Sequence, residues 1–176
     1  PREPFHPLFG AMPKTPLALE FQITQEYLGQ STNLVFLPNM YKEVLESDTY
    51  ANGKGSSVSK IISEFKPSNL APTSGAGGAI VGVANTGSDR NWTGHFMSQA
   101  NWFGFGRLAW NPDISSEQIA DEWIKMTLTK DEKSVKTIKE ILLNYHETYV
   151  DFTYPLGLAH MMGQGIHFGP EPWLEK

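Results

Sequence analysis

Residues 17–30 read Leu-Ala-Leu-Glu-Phe-Gln-Ile-Thr-Gln-Glu-Tyr-Leu-Gly-Gln, with Leu17, Leu19, Phe21 and Ile23 on alternate positions. A period of two predicts a β-strand with one apolar face. The positions between them carry Ala18, Glu20, Gln22, Thr24 and Glu26, a largely polar row that needs hydrogen-bond partners or water. Two arrangements meet that need. The strand packs under helices and its polar face lines a site, or it is an edge strand with one wet face. In the first, Glu26 falls at the strand's C-terminal end, where parallel α/β enzymes place their chemistry. Glu20, deeper on the same face, is then expected as a buried, hydrogen-bonded structural carboxylate.

Residues 1–16 hold five prolines and little periodicity, which predicts an extended connector into the strand. Residues 33–38 form a short apolar run, a minor strand or a buried loop. Helical spacing follows over residues 40–47 and again over 57–65, with Val58, Ile61, Ile62 and Phe65 on one side. Asn52-Gly-Lys-Gly55 between them is a turn. A polar, Gly/Pro-rich loop over 67–78 feeds the continuous apolar run of residues 79–85, the type found in buried parallel strands. Residues 86–94 are a loop at that strand's C-terminal end. Residues 95–110 return to helix, with Phe96, Ala100, Phe103 and Leu108 inward, although Gly104 and Gly106 weaken the helical propensity.

Asn111-Pro-Asp113 marks a boundary. Beyond it Ser115 with Gln118 resembles a capping box. It opens a helix through Ile119, Trp123 and Met126 to about residue 128. A second helix is predicted over about 132–151, with Val135, Ile138, Leu142 and Tyr145 at helical spacing. Residues 154–176, rich in Gly, Pro, Met and aromatics, read as ordered loop.

Strand–helix–strand–helix order predicts a parallel sheet and an α/β fold class. Two strands are too few for a sheet covered on both faces, and a (β/α)₈ barrel takes about 250 residues. The expectation is therefore a piece of a larger enzyme. Residues 1–111 would be the C-terminal part of the barrel, and residues 112–176 the start of an α-helical module.

Composition narrows the chemistry. The formal charge is −5 with no Lys/Arg cluster, which argues against a nucleic-acid partner. No apolar stretch approaches a membrane span, and no apolar leader follows the first residues. The absence of cysteine excludes disulfides and thiolate metal sites. His160 and His167 stand in no metal-ligand pattern, and no metal or cofactor is expected. Gly75-Ala-Gly-Gly78 precedes its strand and lacks the third glycine of a dinucleotide fingerprint. The 5 Trp, 6 Tyr and 10 Phe suit either stacking platforms in a sugar cleft or a core.

Longer strings sharpen this reading. Pro7-Leu-Phe-Gly-Ala-Met-Pro13, Glu20-Phe-Gln-Ile-Thr-Gln-Glu-Tyr-Leu-Gly-Gln30, Asp48-Thr-Tyr-Ala51, Asn91-Trp-Thr-Gly-His95, Gln99-Ala-Asn101, Gly104-Phe-Gly-Arg-Leu-Ala-Trp-Asn-Pro-Asp113 and His167-Phe-Gly-Pro170 together resemble glycoside hydrolase family 67, the xylan α-1,2-glucuronidases. The likeness covers almost the whole chain. It implies removal of (4-O-methyl)glucuronic acid from glucuronoxylan-derived oligosaccharides with inversion and without a metal. It also implies a homodimer through the helical part, no membrane partner, and a bacterial cytoplasm or periplasm.

An inverting glycosidase needs a carboxylic acid for the leaving oxygen and a carboxylate that activates water. The resemblance makes Glu26 the Glu of the basic pair, and implies that its acid and its paired Asp lie upstream of this chain. Trp92 is a candidate to stack on a sugar and His95 to hydrogen-bond one; helix capping and core filling are their alternatives. Lys42 is a candidate partner for the substrate carboxylate. For Lys42, as for Arg107, a helix-surface or packing role is the alternative. An inert carbohydrate-binding or dimerisation module remains the other reading of the chain.

Overall fold

The computed structural model describes residues 17–23, 34–64, 78–84, 90 and 96–153. Their order is β1 (Ala18–Gln22), α1 (Pro38–Glu46), α2 (Val58–Glu64), β2 (Ala79–Val83), a 3₁₀ turn (Phe96–Ser98), α3 (Gln99–Trp110), α4 (Ser116–Thr127) and α5 (Glu132–Thr153). The architecture is a mixed, helix-dominated α/β arrangement around two parallel strands. β1 pairs with β2 in the register Ala18↔Ala79 to Gln22↔Val83. Ala79 N–H to Leu17 O and Ile23 N–H to Val83 O extend the ladder at either end.

The alternation expected over residues 17–23 is present. Leu17, Phe21 and Ile23 are buried, and helices cover that face. Tyr41 of α1 packs on Phe21 with ring centroids 4.9 Å apart, and Phe105 of α3 meets Tyr41 edge-on at 6.5 Å. The contact leaves no room for a side chain at position 82 of β2. A Cβ there would stand 2.4 Å from Ile23 Cδ1 and 2.8 Å from Phe105 Cε1.

The other face departs from expectation. Glu20 is exposed rather than a buried structural carboxylate. Beside it on β2, Val81 and Val83 are 49 % and 39 % exposed, although the continuous apolar run predicts burial on both sides. The physical reason is that no described element covers that face.

Residues 34–37 are the buried loop of the two alternatives, with Val35, Phe36 and Leu37 in the core. Pro38 opens α1 at its first turn, where a missing N–H costs nothing. Pro38, Tyr41 and Leu45 form its buried stripe. Gly104, a weakness for an isolated helix, is what lets α3 approach α1. A Cβ there would stand 2.3 Å from Pro38 Cγ.

α4 begins at the predicted cap, where Ser115 Oγ accepts from Gln118 N–H at 3.1 Å. Its buried face is Ile119, Ala120, Trp123 and Ile124; Met126, expected on that stripe, is 71 % exposed in the helix's last turn. The Asp131 carboxylate accepts from Ser134 N–H at the head of α5, and this hydrogen bond holds its pKa below the usual range. Val135, Leu142 and Tyr149 are buried along α5, with Ile138 and Tyr145 partly so. Among the described residues one core cluster joins β1, α1, α2, α3, α4 and α5. Among the described residues no helix is long and apolar enough to cross a membrane.

Candidate functional site

The parallel strands end together at Gln22 and Val83, and the connections that leave these ends carry the candidate residues. Glu26, Trp92 and His95 all lie outside the described residues, as do His160 and His167. What is described is the frame around them.

Two side chains hold described residues that flank positions 24–33 in sequence. Tyr41, only 1 % exposed, donates its hydroxyl to the carbonyl of Gln22 at 2.5 Å. Burial pushes its phenol far above the ordinary tyrosine range, so it stays a neutral donor at any working pH. On the other side of those positions, Asn101 of α3 reaches across the fold. Its Oδ1 accepts from Leu37 N–H at 2.9 Å and its Nδ2 donates to Val35 O at 3.0 Å. Asn101 is 3 % exposed, and both ends of its amide are occupied. Its clue in the sequence is a polar residue on the buried stripe Ala100, Asn101, Gly104 and Leu108. Tyr41 offers a similar clue, a phenol on an otherwise apolar helix face.

Lys42 stands at the junction of α1 with the α3–α4 link, not beside the strand ends. Its Nζ donates to Pro112 O at 2.6 Å and pairs with Glu46 at 2.9 Å, with its side chain 16 % exposed. Arg107 makes a two-pronged contact with Glu122, Nε to Oε2 at 2.8 Å and Nη2 to Oε1 at 3.2 Å. The guanidinium holds the Glu122 carboxyl below the usual range. Both basic side chains are thus tied to α4 or its approach.

A polar cleft of about 590 Å³ opens on the helical side, between α1, the start of α4 and α5. Lys42, Glu43, Glu46, Ser115, Glu117, His146 and Glu147 are among its lining residues. His146 is mostly buried there, with Nδ1 3.8 Å from Glu147 Oε1. Among the described residues no three His, Asp or Glu side chains gather closely enough to hold a metal ion.

Comparison with known proteins places this frame. Residues 1–92 match the middle domain of glycosyl hydrolase family 67, and residues 93–176 match its C-terminus. Alpha-glucuronidase A of Emericella nidulans is 38 % identical over 172 residues, which is 97 % of this chain and 20 % of the relative. Alpha-glucuronidase of Hypocrea jecorina is 38 % identical over 173 residues, with the same coverage. A probable alpha-glucuronidase A of Aspergillus niger is 36 % identical over 172 residues. The chain therefore spans about a fifth of the length of these curated relatives. With both halves matched in order and without a gap, the chain belongs to glycosyl hydrolase family 67.

Proposed function

We propose that the full-length polypeptide is an inverting α-1,2-glucuronidase that frees (4-O-methyl)glucuronic acid from xylooligosaccharides. Residues 1–111 supply the last strand–helix units of its (β/α)₈ barrel, and residues 112–176 open its helical module. One observation carries the barrel reading. The strands are parallel, and among the described residues one face is covered by helix while the other leaves Glu20, Val81 and Val83 exposed. In a closed barrel the inner face is filled by side chains from the remaining strands, which would take those valines out of water.

In this reading Glu26 is the water-activating or water-positioning carboxylate. It follows Gln22 by four positions in sequence, with the same parity as Glu20, past the C-terminal end of β1. An acid from another part of the polypeptide protonates the leaving oxygen, across a gap of roughly 6.5–9.5 Å that admits the nucleophilic water. Attack from the face opposite the leaving group inverts the anomeric centre. Trp92 and His95, on the connection after β2, contribute a stacking surface and a hydrogen bond to the sugar. The contacts of Lys42 with Pro112 and Glu46 favour its packing role over a substrate contact. The helical part forms the homodimer contact.

Glu26→Ala in the full-length polypeptide is expected to lower glucuronic acid release from aldouronic acids by about 10²–10⁴-fold, with the far-UV circular dichroism unchanged. A wild-type rate in that variant rejects the assignment. The short span of this chain relative to its relatives favours a second statement, that residues 1–176 alone are inert. Turnover by the 176-residue chain on the same substrate would overturn it.

A further inference from the structure

We infer that the polar cleft between α1, the head of α4 and α5 is a binding site for a linear organic cation, a diamine or polyamine with ammonium groups several bonds apart. It stands apart from the glucuronidase reading and from Glu26. Three helices give carboxylates to the wall: Glu43 and Glu46 from α1, Glu117 from α4 and Glu147 from α5. Among the described lining residues the fixed cation is Lys42, and Glu46 at 2.9 Å and Pro112 O at 2.6 Å already occupy it. Glu43, Glu117 and Glu147 therefore face the cleft with no Lys or Arg partner among the described residues. A concave wall with charge of one sign concentrates counter-ions.

Acidic side chains on a surface are ordinary, and His146 is what sets this cleft apart. The residue is 9 % exposed, and its ring forms part of the wall. Its Nδ1 lies 3.8 Å from Glu147 Oε1, beyond hydrogen-bond range. Neither ring nitrogen has a hydrogen-bond partner among the described residues. A neutral imidazole offers one acceptor and one donor, and a polar group so placed calls for partners. An ammonium N–H donates to the acceptor nitrogen while the carboxylates around it balance the charge.

The shape selects the class of ligand. Asn39 Nδ2 donates to Leu143 O at 2.9 Å, and Lys42 reaches Pro112 O, so α1 is tied to α5 and to the approach of α4. The cleft is thus held open in advance, and its volume of about 590 Å³ suits a small molecule. Among the described residues no three carboxylates or imidazoles converge closely enough to hold a metal ion. A single compact cation would meet only part of the wall, whereas a chain of ammonium groups meets carboxylates on separate helices at once. A glucuronate-bearing sugar would set carboxylate against carboxylate here.

The test is isothermal titration calorimetry of the full-length polypeptide with spermidine at low salt. Saturable binding is expected, weakened about two- to fivefold by each of Glu43→Gln, Glu117→Gln and Glu147→Gln. His146→Leu should weaken it about threefold or more with every carboxylate intact, which a merely acidic surface would not show. The double variant Glu132→Gln/Glu140→Gln, on α5 outside the cleft, should bind as wild type. Absence of saturable binding overturns the inference, and so does an equal loss in that control. Unchanged affinity in His146→Leu overturns it as well; if that variant fails to fold, the three carboxylate variants decide. Displacement of spermidine by an equal concentration of magnesium would make the site a metal site instead. Tighter binding of a lysine-rich peptide through the same residues would make it a protein-docking site, and either result overturns the assignment of a small organic cation.

Discussion

The strand pair and the α4–α5 hairpin solve the burial problem in opposite ways. α4 and α5 carry their own stop and start signals, Ser115 and Asp131 at the heads of the two helices. Their apolar stripes face each other and the neighbouring core, with Trp123 and Ile124 meeting a surface that includes Val135 and Leu142. The outer faces are laced by ion pairs: Asp121 accepts from Lys125 and Lys139, both at 3.0 Å, and Arg107 holds Glu122. Among the described residues, α4 packs on α1, α3 and α5, and α5 on α1. Among the described residues the strands are covered on one face, and the face with Glu20 and Val81 is left exposed. A region can be folded to its final local geometry and still depend on distant sequence for its solvation.

Three measurements sharpen that contrast. The largest effect is expected at Trp123, 2 % exposed on α4. Trp123→Ala should cost about 3–5 kcal/mol, read by urea denaturation, with the same shift in the 176-residue chain and in the full-length polypeptide. A much larger loss in the longer protein would show that the hairpin leans on it after all.

Val81→Ser should behave differently in the two lengths. On the bare face of the short chain it should move stability by no more than about 0.5 kcal/mol. In a closed barrel it would bury a hydroxyl in place of two methyl groups, at about 1–3 kcal/mol. Equal denaturation midpoints shifts in both lengths would break the account of the open face.

The smallest effect is electrostatic. The carboxyls of Asp121, Glu122 and Asp131 are all held below their ordinary values, by Lys139 and Lys125, by Arg107 and Gln118, and by Ser134 respectively. Each ionises more readily folded than unfolded. Their contribution is therefore complete above the unfolded values, 3.8 for Asp and 4.5 for Glu, and drains away as pH falls through and below them. The pairs are well solvated, so the loss is modest. Far-UV melting should show a melting temperature that is flat above about pH 5 and declines below it. A rise on acidification would contradict the sign.

Much of the helical part was legible because its signals are local. Ser115 caps a helix three residues from its partner, and a stripe repeats within a turn or two. The alternation over residues 17–23 was legible for the same reason, since the strand period is a property of the backbone. The family resemblance marked Glu26, Trp92 and His95 by motif, and their placement lies outside the described residues.

Tertiary structure decided what depends on partners far away in sequence. Glu20 and Val81 are exposed where burial was expected, because polarity and hydropathy do not reveal what stands opposite a strand face. Gly104 counted against a helix by propensity, yet the bare backbone at that point is what brings α3 onto Pro38. Lys42 carries a charge that suits a carboxylate ligand, and only the fold sets Pro112 O within its reach. Asn101 is a single amide on the buried stripe of α3, and only the fold brings Val35 O and Leu37 N–H to it. The sequence by itself determined which stretches form strand and helix, because those preferences act over a few residues. Which faces are dry, and which polar atoms meet, was settled only when segments some sixty residues apart came together.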